Sequence, residues 1–114
     1  IVSVNKDRAN NQTGTSYTLA YDEDKDLSDE DKTVWMNNAA ANVLTIPLNA
    51  TEAFPIDTLI LIMMEGLGVT SVTAAAGVTL NTIDGGTGDL TQFNGVTLVK
   101  RGVDAWVATP LAVA

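Results

Sequence analysis

The chain has 114 residues, with 14 acidic and 6 basic side chains, a net charge of −8, and neither Cys nor His. That length suits one domain with a real core, and the missing Cys and His exclude disulfides, thiol nucleophiles, imidazole bases and the usual zinc, copper and haem sites. The acidic balance argues against nucleic acid and anionic membranes as partners, because nothing here neutralises a row of phosphates.

Residues 1–14 open with a brief apolar alternation and then become polar. We expect an N-terminal arm here, which either pairs with a neighbouring subunit or frays as many chain termini do. Ile1, Val2 and Val4 are the candidate contact residues of this arm.

Residues 15–21 place Tyr17, Leu19 and Tyr21 on one face, and this period of two predicts a half-buried strand. Residues 22–32 follow with seven acids and two lysines, a local charge of −5. Because acids this dense repel one another, we expect the segment to be exposed to solvent. Within it, residues 27–31 have the composition of one helical turn, with a serine as its N-cap.

Two interpretations of this acidic loop stay open. Asp22, Asp24 and Asp26 at alternate positions, with Glu30 nearby, are able to supply the carboxylate oxygens that Ca²⁺ prefers. Against an EF-hand, Leu27 stands where that loop requires Gly, and the bidentate Glu of the motif is missing. The loop is therefore either a weak calcium site or simply a solvated acidic surface, and no other cofactor is expected.

Two strands are predicted next, at residues 33–37 and 42–47. In the second of them, Val43 or Leu44 would face inward together with Ile46.

Prolines bound the loop that follows. Pro47 and Pro55 fix φ and remove backbone donors, so residues 48–55 are expected to follow a defined irregular path. Residues 57–64 form the most apolar strand. Its near-continuous hydrophobicity predicts burial on both faces, in the middle of a sandwich or at a subunit interface.

The second half repeats Gly-Val-Thr at positions 68, 77 and 95, as short strands between regular turns do. Residues 84–89 are expected to form a flexible turn, since they lack the Lys-Ser/Thr ending of a phosphate loop. Residues 97–101 and 105–108 flank a hairpin turn near Gly102. Because the first half shows no such period, we do not expect a solenoid.

These patterns predict an all-β fold, a compact antiparallel β-sandwich or barrel-like domain of about 7–9 short strands. The expected organisation is an N-terminal arm at 1–14, a single β domain at 15–109 and a C-terminal tail at 110–114.

No catalytic centre is expected. The serines have no histidine to activate them, and no acid pair lies beside the aromatic platform that glycoside hydrolysis uses. Tyr17, Tyr21, Trp35 and Trp106 are able to stack on sugars. Each lies in a strand pattern, however, which favours a role in the core or at a subunit interface.

Apolar residues near the end of the chain and in the apolar strand are the best interface candidates: Met63, Met64, Leu111 and Val113. An uncharged apolar tail exposed to water would be an aggregation liability. We therefore expect it to pack on a symmetry mate in a closed homo-oligomer.

Lys100 and Arg101 are adjacent on a predicted strand, so their side chains are expected to point to opposite faces. They do not form a basic patch by themselves, although either could meet an acidic neighbour.

The segment from Val34 to Val107 resembles a recurring module of tailed-phage virion proteins. The resemblance lies in Met-Asn-Asn-Ala-Ala-Ala-Asn-Val-Leu-Thr-Ile-Pro at 36–47, Ala-Phe-Pro-Ile-Asp-Thr at 53–58, Gly-Val-Thr-Leu-Asn at 77–81 and Thr-Leu-Val-Lys-Arg-Gly-Val-Asp-Ala-Trp at 97–106. These pieces occur in order and span roughly two-thirds of the chain. The acidic run at 22–32 and the end after residue 106 depart from the pattern.

The resemblance implies a non-enzymatic structural role on the virion surface. The preferred interpretation is a trimeric capsid decoration protein that coats or stabilises the particle. Its expected partners are copies of itself and the major capsid protein or other virion proteins, with no nucleic acid and no membrane insertion. The alternatives are a receptor-binding tip of a phage tail fibre, which would grip a host surface glycan, and a subunit of a self-assembling extracellular filament.

Overall fold

The computed structural model describes residues 8–82 and 89–110. These residues form ten strands and no helix, so the predicted all-β class is confirmed and the strand count slightly exceeds the expected one. The strands are β1 Ala9–Gln12, β2 Ser16–Thr18, β3 Thr33–Met36, β4 Asn42–Ile46, β5 Leu59–Met64, β6 Thr70–Ala74, β7 Thr79–Thr82, β8 Asp89–Leu90, β9 Gly95–Gly102 and β10 Ala105–Pro110.

The strands form two sheets. Six lie in one sheet in the order β1-β3-β5-β9-β10-β7, and four lie in the other in the order β2-β4-β6-β8. The first six strands alternate between the sheets, so each consecutive pair makes one rung of a stack.

The rungs stack in parallel, in a solenoid-like arrangement. Ala9 pairs with Thr33, which pairs with Leu61, and in the second sheet Ser16 pairs with Val43, which pairs with Ser71. The expected antiparallel arrangement is therefore wrong for this half, and so is the exclusion of a solenoid. The repeat is one of backbone position only, because the connecting loops differ in length and the aligned side chains differ in type.

The second half is mainly antiparallel. Strand β9 pairs antiparallel with β5 on one side and with β10 on the other, and β10 pairs in parallel with β7. The predicted hairpin is confirmed, with its turn at residues 103–104. Each Gly-Val-Thr repeat also opens a strand, namely β6, β7 and β9.

One hydrophobic core lies between the sheets. Its buried apolar residues come from both sheets and from the loops: Leu19, Val34, Met36, Leu44, Ile46, Phe54, Ile60, Ile62, Met64, Val72, Leu90, Val96, Leu98, Trp106 and Ala108. The rings of Tyr21, Phe54 and Trp106 meet edge to face, with centroids 5.5 and 5.7 Å apart. Ile46 faces inward as predicted, and of the two alternatives Val43 and Leu44 it is Leu44 that is buried with it.

Strand β5 is buried on one face rather than two. Ile60, Ile62 and Met64 are fully buried, whereas Leu59 is 47% exposed and the residues between them are half-buried. The prediction of burial on both faces is wrong for the single chain, because among the described residues no layer covers the other side of this sheet.

Three turns stack on one another at one end of the rungs. Residues 13–15, 37–41 and 65–69 each connect the two strands of one rung, in three successive rungs. The Asn38 amide donates to the carbonyl of Thr13 at 2.8 Å, and the Gly68 N–H donates to the carbonyl of Asn38 at 2.9 Å. A Cβ atom on Gly68 would lie 2.0 Å from the carbonyl oxygen of Ala40. Glycine is therefore required for this close approach.

Candidate functional site

The acidic loop folds back onto the protein through Asp29. This side chain is 2% exposed, and its carboxylate accepts hydrogen bonds from the Tyr17 hydroxyl at 2.5 Å, the Ala20 N–H at 2.8 Å and the Asn10 amide at 2.7 Å. Three donors make burial of the charge tolerable. The expectation that the whole loop is exposed is wrong at this position.

The neighbours of Asp29 are buried as well. Ser28, Glu30 and Lys32 are all less than a tenth exposed. In place of the predicted helical turn at 27–31, the Ser28 hydroxyl accepts from the Glu30 N–H at 3.1 Å, and the Lys32 ammonium donates to the carbonyl of Asp26 at 2.6 Å. The density of acids in the sequence predicts their mutual repulsion. It does not reveal which hydrogen-bond donors lie beside them in the fold.

Tyr17 stays protonated in this arrangement. Burial, followed by the hydrogen bond and charge of Asp29, raises the pKa of Tyr17 well above its ordinary value of 10.0. Asn10 on β1 donates to both partners, at 2.9 Å to the Tyr17 hydroxyl and 2.7 Å to Asp29. The cluster therefore fixes the edge strands to the acidic loop.

The four acids of the calcium hypothesis do not come together. The Asp22 and Asp24 carboxylates each accept from a backbone N–H two residues later, at 2.8 and 3.0 Å, which are local turn contacts. Glu30 forms an ion pair with Lys25. Within residues 8–82 and 89–110, no group of three or more acids is placed to hold a metal ion, and calcium binding at Asp22, Asp24, Asp26 and Glu30 stays an untested prediction.

An open cleft of about 380 Å³ lies between β1 and the acidic loop. Asp29 and Lys32 are its buried charged groups, and both are already hydrogen-bonded within the protein. The cleft thus has a polar surface whose buried charged groups already have hydrogen-bond partners within the protein.

Lys100 is the most deeply buried charged side chain of the second half. It is 1% exposed, and its ammonium donates to the Asn49 side-chain oxygen at 2.6 Å and to the carbonyl of Phe54 at 2.7 Å. Burial lowers the pKa of Lys100, while the charge of Asp104 acts in the opposite direction. Asp104 itself accepts from the Asn49 N–H at 2.8 Å. These contacts hold the loop at 48–55 against β9.

Arg101 points to the other side of β9, as predicted from strand alternation. It is exposed and forms an ion pair with Asp57 of the same chain. The backbone of Asp57 lies in the left-handed region, with a φ of 71°.

The four aromatic residues divide between the inside and the outside. Trp106 lies in the core, and Tyr17 and Tyr21 pack against it half-buried. Trp35 lies on β3 beside Asn11 and Met63 of the neighbouring strands, on the face turned away from the core.

The outward face of the six-stranded sheet carries large apolar side chains on four strands, with Thr33, Thr97 and Thr109 aligned between them. The register aligns side chains that are half-buried or exposed: Trp35, Leu59, Leu61, Met63, Val99 and Val107. Among the outward strand positions that the structure describes, Arg101 carries the one charge. We call this surface the apolar face.

The outward face of the four-stranded sheet is different. Its aligned positions are mostly hydroxylated: Ser16, Thr18, Val43, Thr45, Ser71 and Thr73. The chain thus has one apolar and one polar sheet face.

The residues predicted to form an interface do not all lie on the apolar face. Met63 lies on the apolar face, while Met64 is fully buried and its sulfur accepts from the Thr70 hydroxyl at 2.7 Å. Adjacent strand residues point in opposite directions, so the pair cannot act together. Ile1, Val2, Val4, Leu111 and Val113 lie outside the described residues. Residues 9–12 of the expected arm form β1 and pair with β3.

Two exposed apolar residues lie on loops at one end. Leu67 is 75% and Phe93 72% exposed, and Phe93 has a φ of 65°. The two loops are joined because the Phe93 N–H donates to the carbonyl of Met64 at 2.6 Å and the Gln92 amide donates to that of Glu65 at 3.3 Å. Sequence reasoning missed both residues, since each is a lone apolar residue in a turn.

Comparisons with protein-family models, with curated proteins and with solved structures find no match to this chain. Among the described residues, no helix has the length and apolar character that a membrane span requires.

Proposed function

We propose that this protein is a non-enzymatic structural protein of the virion surface, and specifically a capsid decoration protein that coats or stabilises the particle. The observation that carries the proposal is the apolar face, a sheet surface that no layer covers among residues 8–82 and 89–110. The resemblance of residues 34–107 to a tailed-phage module supports the choice of a virion as the partner. The absence of Cys and His supports a role without thiol or imidazole catalysis.

The size of the apolar face suits repeated attachment to a large assembly. Its residues lie on four strands, and four strands spaced about 4.8 Å apart, each about 17 Å long, give a flat footprint of about 330 Å². This area is smaller than the roughly 800 Å² per partner of a standard interface. One copy alone would bind modestly, and contacts repeated among neighbouring copies would strengthen attachment.

Charge is distributed unevenly between the apolar face, which we propose is attached, and the acidic loop, which we propose faces solvent. The acidic loop supplies −5 of the net −8, whereas the apolar face carries only Arg101, which is paired with Asp57. Depletion of charge at the centre is typical of protein interfaces. We place the acidic loop on the side turned to solvent, with the apolar face against the particle or a neighbouring copy.

We further infer that the two sheets pack face to face as a β-sandwich. One half of this sandwich is the solenoid-like stack of rungs. The core residues contributed by both sheets support this view. A rigid two-layer body is a suitable spacer between a particle surface and water.

A pair of matched variants tests the proposal. Purified chain is added to particles stripped of it, and bound protein is measured by co-sedimentation. Met63→Lys places a charge beside Trp35 on the apolar face, and we expect at least a tenfold weaker affinity, since a hot-spot contact contributes about 2 kcal/mol or more. Leu67→Lys, on the loop end, is the control and should bind as the original does. Equal binding of both variants would overturn the proposal.

A receptor-binding tip is the second candidate, and the exposed loop residues Leu67 and Phe93 favour it. Loops on a rigid scaffold commonly carry recognition. The same two variants separate the candidates: a tip would lose binding to host cells with Leu67→Lys and keep it with Met63→Lys. Glycan binding with no attachment to capsids would support the tip.

A further inference from the structure

The Lys100 and Asn49 side chains are in direct contact. The Lys100 amine is 2.6 Å from the side-chain oxygen of Asn49. Because a C=O bond is about 1.23 Å long, the amide carbon lies at most about 3.8 Å from the amine. Reacting atoms in near-attack geometry are about 3–3.5 Å apart, so a small side-chain rotation brings them to that separation.

The surroundings favour a nucleophilic amine. Lys100 is 1% exposed and its two acceptors, Asn49 and the carbonyl of Phe54, are both neutral. Burial lowers the pKa of Lys100. A desolvated lysine that loses its proton is a competent nucleophile.

A carboxylate is placed beside the same pair. Asp104 accepts from the Asn49 N–H at 2.8 Å, and its charge acts on Lys100. The chain therefore brings an amine, an amide and an acid together at the loop that β9 covers. The other buried lysine, Lys32, differs because its ammonium donates to the backbone carbonyl of Asp26 at 2.6 Å and, among the described residues, to no side-chain amide.

From this arrangement we propose that Lys100 and Asn49 form an intramolecular isopeptide bond. The Lys100 ammonium loses one proton, for which Asp104 is the nearby acceptor although the two form no ion pair at rest, and the free amine attacks the amide carbon of Asn49. The new C–N bond forms, the original C–N bond of the side chain breaks, and Asp104 returns the proton to the leaving group. Ammonia departs and takes up the remaining proton as ammonium. No oxidant or cofactor takes part.

The bond would fasten the loop after β4 to β9, closing a segment of 51 residues. A crosslink of that span constrains the unfolded chain and would suit a protein exposed outside a cell. The inference does not depend on the proposed function, because it rests on the Lys100 site alone.

Mass spectrometry of the intact, denatured full chain tests the bond. We expect a mass lower than that of the sequence by about 17 Da, the mass of one ammonia molecule. Tandem mass spectrometry of a digest should join the peptides that contain residues 49 and 100. Lys100→Arg and Asn49→Ala should each restore the sequence mass, whereas Lys32→Arg should keep the loss.

One side reaction gives the same mass change and must be separated. A succinimide at Asn94-Gly95 also loses ammonia, but it hydrolyses in mild alkali, whereas the isopeptide bond persists. A folded chain at its sequence mass, or a loss located at residue 94, would overturn the proposal.

Asp104→Asn tests the part assigned to the carboxylate. The variant should lose ammonia slowly near neutral pH and faster as the pH rises, because hydroxide replaces the missing proton acceptor. A rate that does not change with pH would assign Asp104 a role in holding the loop alone.

Discussion

Asp29 is a buried carboxylate whose partners come from three separate segments. Asn10 lies on β1, Tyr17 on β2 and Ala20 in the loop that follows. A hydrogen bond to a charged group contributes about 1.5–3 kcal/mol. Asp29 is thus the residue through which the acidic loop stabilises the edge strands.

Asp29→Ala should therefore be costly. Removing the carboxylate leaves buried donors without an acceptor, and we expect the free energy of unfolding to fall by about 3 kcal/mol or more. Glu23→Ala, an exposed acid of the same loop, is the matched control and should change it by about 0.5 kcal/mol or less. Urea denaturation measures both. Equal small effects would show that the loop is merely a solvated surface.

Tyr17 gives the cluster a pH dependence. Its pKa in the folded state lies above the ordinary value of 10.0, so above that pH the unfolded chain loses the proton while the native chain keeps it. Stability then falls as the pH rises. We expect Tyr17→Phe to be less stable than the original chain near neutral pH. Its stability should not fall in this way at higher pH, because phenylalanine has no hydroxyl proton to lose.

The difference in unfolding free energy between the original and Tyr17→Phe should shrink from about pH 9 to about pH 11. Lys100 is the same in both proteins, so any contribution it makes cancels in the comparison. Denaturant titrations at a series of pH values provide the measurement. A difference that stays constant or widens would contradict the assigned hydrogen bond between Tyr17 and Asp29.

At the scale of elements, the stacked turns define the spacing of the rungs. The turn at 65–69 lies against the turn at 37–41 so closely that a side chain at position 68 has no room. Gly66 is similarly close, since a Cβ atom there would lie 2.5 Å from the N of Asn38. Backbone contact, rather than side-chain packing, joins these elements.

Gly68→Ala should lower the free energy of unfolding by about 1–3 kcal/mol or more, because a Cβ atom placed 2.0 Å from a backbone oxygen forces the turns apart. Gly14→Ala is the control in the same end of the stack, since its Cβ atom would meet the oxygen of Ser16 at an ordinary 3.8 Å. Thermal unfolding followed by circular dichroism compares the two. Equal melting temperatures would contradict the stacked-turn geometry.

Some of the elements could be predicted from the sequence and some could not. Period-two patterns and Gly-Val-Thr starts located β3, β4, β6 and the β9–β10 hairpin, because local propensity and turn chemistry act within a few residues. The parallel pairing of β3 with β5 joins residues 28 apart, such as Thr33 and Leu61. No local pattern encodes such a partner.

The candidate sites show the same division. Strand alternation was enough to separate Lys100 from Arg101. It could not show that Lys100 meets Asn49, which is 51 residues away, nor that Asp29 finds its donors. The apolar face became visible only when the register placed Leu61, Met63 and Val99 on neighbouring strands.

On the scale of the whole molecule, the two outward sheet faces predict different behaviour. The apolar face should mediate self-association, whereas the polar face should remain in water. Met63→Lys and Val43→Lys place the same charge at one apolar position on each face, and Val43 is 38% exposed. In sedimentation velocity we expect Met63→Lys to shift the chain toward monomer and Val43→Lys to leave the oligomer unchanged. The reverse order would assign assembly to the four-stranded sheet.

The most direct test of the account is electron cryomicroscopy of the assembly from which the chain is purified. We expect density for this protein on the particle surface, with the apolar face covered by a capsid protein or a second copy and residues 22–32 turned toward solvent. Density in which Trp35, Leu61 and Met63 face water, or a particle without this chain, would contradict it.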